Sequence, residues 1–90
     1  MITNELKDEL QAACHSLDAN DHDRIVDILK QVKKDAPMLY ARTIEKVWAV
    51  LSAAGRWDDE MKDNLGKDLD EMPFSAYFEI AISMLTIWPE

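Results

Sequence analysis

Cysteine, glycine and proline are all scarce in this chain. Cys14 stands alone, so no intramolecular disulfide can form and no zinc site can be assembled from CxxC pairs. A disulfide-stapled secreted miniprotein is excluded, and a reducing, cytoplasmic setting is favoured. Two Gly and three Pro are about half the usual share. That poverty of turn residues argues against a β-sandwich and against a disordered chain. Gly55 and Gly66 stand apart, so there is no glycine-rich phosphate loop. The N-terminal segment has neither a basic flank nor an apolar stretch and does not read as a signal peptide. The longest mostly apolar run, Phe74 to Trp88, is broken by Ser75, Glu79, Ser83 and Thr86. It is too short and too polar to span a bilayer.

Positive charge is also in deficit. Ten Lys and Arg face 18 Asp and Glu, a net charge of −8. Phosphates and anionic lipid headgroups repel such a chain. No direct nucleic-acid partner and no membrane partner is expected. Another protein with a cationic surface fits the sign.

What is present is helical periodicity. Five segments emerge, about 4–17, 21–34, 37–54, 58–71 and 74–88, within one domain spanning 1–90. In the first, Ile2, Leu6, Leu10, Ala13 and Leu17 form one stripe after a cap at Thr3 or Asn4. Asn20 or Asp21 can cap the second, which buries Ile25, Val26, Ile28, Leu29 and Val32 and turns Asp23, Arg24, Asp27, Gln31 and Lys34 to water. The third starts at Pro37, suited to a first helical turn. It gathers Tyr40, Ile44, Val47, Trp48, Leu51 and Ala54 on one face, which Leu39, Thr43 and Val50 widen to about 200°, broad enough to touch more than one neighbour, and it ends at Gly55 as a left-handed stop. The fourth carries the narrow stripe Trp57, Met61, Leu65, Leu69 and Met72, with Gly66 inside it. The fifth is ambiguous, because Phe78, Ile80, Ile82 and Met84 also alternate as in a strand. A lone strand would leave its backbone unpaired, so a helix is expected. The fold class is therefore all-α, a compact bundle of four to five short helices.

Two features bear on function. Residues 57–73 hold Asp58, Asp59, Glu60, Asp63, Asp68, Asp70 and Glu71 against Lys62 and Lys67, whereas 37–56 hold Arg42, Lys46 and Arg56 against Glu45. On a continuous helix Asp59, Glu60, Asp63, Asp70 and Glu71 share an arc of about 120°. They are the candidate partner-binding face, with a solvated outer surface as the plainer explanation. Segment five is apolar over about 280°. Its side bearing Tyr77, Ile80, Met84 and Trp88, together with Trp57 after segment three, is the candidate apolar contact for a partner or a second copy, with a central helix wrapped by the other four as the plainer explanation.

Catalytic and metal readings are weak. Cys14 and His15 point about 100° apart on a helix, which separates them as a nucleophilic pair or, with His22, as metal ligands. The stretch from Asp18 lacks the Gly and the final Glu of a calcium loop. Glu45 lies between Arg42 and Lys46, against a DNA-reading helix. The expectation is a non-enzymatic protein without metal or cofactor that regulates or inhibits a partner with a basic surface. A homodimeric scaffold, or an immunity-type inhibitor mimicking nucleic acid, is the alternative.

Overall fold

A computed structural model describes residues 3–56 and 58–89. These residues form five helices and no strand: α1 Asn4–His15, α2 Ala19–Asp35, α3 Pro37–Ala53, α4 Asp59–Leu65 and α5 Phe74–Thr86. The bundle measures 34 × 27 × 21 Å. Segment five is helical, as expected.

Local chemistry sets each boundary. Thr3 caps α1 by accepting the Leu6 N–H at 3.2 Å. After His15 the backbone turns extended at Ser16. Leu17 therefore falls beyond the helix and is 98% exposed, not part of the buried stripe. The cap of α2 is Asp18, which accepts the Asn20 N–H at 2.8 Å, rather than Asn20 or Asp21. Asp21 instead accepts from the Ser16 hydroxyl.

α3 begins with Pro37 in its first turn. It buries Leu39, Thr43, Val47 and Leu51, one residue per turn. The Thr43 hydroxyl donates to the Leu39 carbonyl at 2.7 Å, which satisfies it in the core. The buried stripe is one edge of the wide face expected; the rest of that face is not covered, so Trp48 and Val50 are 44% and 45% exposed and Ala54 lies at the surface. Gly55 ends the helix at φ 69°. Its N–H donates to the Ser52 carbonyl at 3.1 Å and the Arg56 N–H to Leu51 at 2.9 Å, the paired bonds of a Schellman stop.

α4 is much shorter than expected. It ends at Leu65, and residues 66–72 continue as tight turns. Gly66 donates to Asp63, Lys67 to Asn64 and Glu71 to Asp68, at 3.1, 3.1 and 2.9 Å. Gly66 is a poor helix former, and these three-residue bonds replace the helical ladder. Leu69 and Met72 are nevertheless buried, so the turns deliver the apolar residues that a helix was expected to deliver.

α5 packs against all four other helices. Ala76, Ile80, Ala81, Ser83 and Met84 face the core, with the small residues permitting close approach. Trp88, just beyond the helix, is buried too. Ala76, Ile80, Ala81, Met84 and Trp88 join Leu10, Ile25, Leu29, Val32, Val47 and Leu51 in one cluster. The opposite side is open: Phe74 and Ile82 are 40% and 41% exposed.

The two glycines make opposite predictions. A Cβ at Gly55 would meet nothing within 4 Å, so Gly55→Ala incurs only the left-handed backbone penalty, about 1–2 kcal/mol. Gly66 has φ −85°, and a Cβ there would lie 3.5 Å from the Asp63 carbonyl oxygen, an ordinary contact. Gly66→Ala should stabilise by about 0.4–1 kcal/mol by restricting the unfolded chain. Urea unfolding of both variants checks the signs.

Candidate partner-binding site

The expected acidic face is divided. Asp59, Glu60 and Asp63 are exposed on α4, and their spacing keeps them on one side of it. Asp58 caps that helix, accepting the Met61 N–H at 2.8 Å. Asp59 and Glu60 occupy its first turn, where the helix dipole favours carboxylates. These acids thus have a local structural task. Asp70 and Glu71 lie in the turns beyond α4 and do not continue its face, because the helix has already ended.

Asp70 is turned toward α2. Its Oδ1 accepts from the Lys30 ammonium. There it joins Asp23 and Asp27, which α2 sets one turn apart, on the rim of an open cleft of about 440 Å³ between α2, the 66–72 turns and α5. Val26, Leu69 and Met72 supply apolar lining, and Phe74 and Tyr77 supply aromatic lining. Among the described residues, neither Asp23 nor Asp27 forms an ion pair.

The aromatic wall is braced. The Phe74 ring lies 4.4 Å from the His22 ring, 5.1 Å from Tyr77 edge-to-face, and 5.3 Å from Phe78. His22 Nε2 lies 3.2 Å from the Ser16 carbonyl oxygen. His22 is therefore half-buried and engaged rather than an idle surface histidine. Burial first, and the negative charge of Asp23 second, hold the Tyr77 hydroxyl above its ordinary pKa. It stays protonated and able to donate. Carboxylates beside aromatic faces attract a cation twice, by Coulomb force and by the ring quadrupole.

The expected apolar contact lies on the wrong side of α5. Ile80 and Met84 are fully buried and Trp88 nearly so, because that side is the one packed by the other helices. Tyr77 is half-buried and lines the cleft. Trp57 lies outside the described residues. Asp23 and Asp27 were legible only as water-facing positions on α2; nothing local marks them as neighbours of the 66–72 turns.

A second groove, about 280 Å³, runs between α4 and α5 and includes Arg56, Asp58 and Glu60. Arg56 donates to Glu79 of α5 at 3.0 Å, so its charge is already engaged. Among the described residues no group of three or more His, Cys, Asp or Glu is arranged to hold a metal ion. No helix among them is long and apolar enough to cross a membrane. Comparison with known protein families, curated proteins and solved structures returned no match to this chain.

Cys14 is half-buried beside α5, and burial pushes its thiol from an ordinary 9.0 up to about 11. At neutral pH it is a thiol, not the thiolate that attacks or binds metal. The shift links to stability. Between pH 9 and 11 the unfolded chain releases this proton while the folded chain keeps it, so stability falls as pH rises. Tyr40 and Tyr77, also raised by burial, extend the decline above pH 10. Denaturant unfolding from pH 8 to 11 should show a shallower decline in Cys14→Ala than in the unmodified chain.

Proposed function

We propose that this chain is a non-enzymatic binding protein that regulates or inhibits a protein partner by engaging its basic surface. The observation that carries this reading is the convergence of Asp23 and Asp27, beside an Asp70 already paired with Lys30, on the cleft lined by Phe74 and Tyr77. Its occupant is an Arg or Lys side chain projecting from the partner, with the stem on Val26, Leu69 and Met72 and the charged head among the carboxylates. The wider excess of acid, including Asp59, Glu60 and Asp63 on α4, steers the partner from a distance. The single cysteine, which leaves no intramolecular disulfide to depend on, is what favours a cytoplasmic setting.

The test is amide NMR of the isotopically labelled chain titrated with a short amphipathic helical peptide bearing Arg at one edge. Shifts should centre on Asp23, Asp27, Phe74 and Tyr77. Asp23→Lys with Asp27→Lys should weaken binding about tenfold at low salt, and salt itself should weaken the original complex. Shifts spread evenly over all the acids, or centred on α4, would overturn the assignment to this cleft.

A further inference from the structure

We propose that the cleft between α2, the 66–72 turns and α5 takes a methylated lysine of the partner in preference to an unmodified Lys or Arg, with its methylated ammonium head in the angle between Phe74 and Tyr77. The proposal rests on the cation-binding reading of that cleft and adds the chemical class of the cation. The two ring planes stand at 88°, with their centroids 5.1 Å apart, and both rings line the cleft. A cation in the corner of two such rings reaches both within the roughly 6 Å over which a ring quadrupole attracts it. Packing fixes the corner in advance. Phe74 lies 4.4 Å from the His22 ring and 5.3 Å from Phe78, so little side-chain freedom is left to lose on binding.

The placement of hydrogen-bond acceptors selects the head group. Among the described lining residues, the carboxylates without an ion pair are Asp23 and Asp27, both on α2. The remaining lining is the two rings with Val26, Leu69 and Met72, and apart from the Tyr77 hydroxyl its side chains carry no oxygen. A bare ammonium spreads three N–H donors and a guanidinium five. Donors turned toward the rings and the apolar side chains give up water without a replacement. Methylation removes donors and keeps the charge. It sets apolar carbon against the rings, Val26, Leu69 and Met72, while Asp23 and Asp27 attract the head from α2 as charges rather than as acceptors.

The test uses short peptides of one sequence bearing trimethyllysine, Lys, Arg, or the neutral carbon analogue with tert-butyl in place of trimethylammonium. Each is titrated into the full labelled chain and followed by amide NMR. Trimethyllysine should bind about tenfold tighter than Lys or Arg, with shifts centred on Phe74 and Tyr77, and the neutral analogue should lose that gain. Phe74→Leu, at a position 40% exposed, should keep its helical circular dichroism and bind the trimethyllysine and Lys peptides about equally. Trp48→Leu, an exposed aromatic on α3, should keep the full preference. Free tetramethylammonium should move the same amides at least about tenfold more weakly, because it lacks the stem; affinity equal to the peptide's would overturn the assignment to a side chain. Trimethyllysine and Lys peptides that bind the cleft equally would overturn the methyl preference and leave the cation site standing. A neutral analogue as tight as trimethyllysine would overturn it as well. Failure of every charged peptide to shift the cleft would overturn both readings.

Discussion

Everything in this bundle depends on the burial of one side of α5. Ala76, Ile80 and Met84 are completely buried, and α5 contacts each of the other helices. A small domain has little interior to share, so one helix in contact with all the rest is an economical way to close a single core. The same geometry forbids full enclosure. Four short helices cannot wrap a fifth, and the Phe74, Phe78, Ile82 and Leu85 side stays partly open to water.

That division orders the surface. Apolar side chains left over on α5 form one wall of a groove with α1. At its N-terminal end Phe74 and Tyr77 border α2 and the 66–72 turns, where carboxylates gather. The molecule thus has a groove between α1 and α5 lined by Phe78, Ile82 and Leu85 with Lys7 and His15 and an acid-rimmed aromatic cleft, both built on a single helix. The ion pairs do little to hold it. Arg24 with Glu9, Lys30 with Asp70, and Arg56 with Glu79 all involve at least one largely exposed partner, and such pairs contribute little each. Apolar packing supplies the stability, and the acids contribute little to it.

Much of this architecture is legible in the residues alone. The all-α class, the starts at Thr3 and Pro37 and the stop at Gly55 follow from capping chemistry and period. The failures have physical causes. Met61, Leu65, Leu69 and Met72 repeat like a helix, yet Gly66 ends α4 and turns bury the last two by another path. That break moved Asp70 from the α4 face to α2. Trp48 was expected inside because α3 is apolar over a wide arc, which does not say which part faces inward. α5 posed the same problem in stronger form. Its clue was the small residues Ala76, Ala81 and Ser83, which mark the side where neighbours come close. The cleft was the least legible feature, since it joins α2 to a turn distant in the chain.

The orientation of α5 about its own axis is the central claim, and two alanine substitutions test it directly. Urea unfolding at low micromolar protein should show Ile80→Ala destabilised by about 2–5 kcal/mol, the range for a filled core position. Ile82→Ala should lose less than about 1 kcal/mol, as an exposed position does. Equal losses at the two sites, or a larger one at Ile82, would contradict the packing described and both surfaces derived from it.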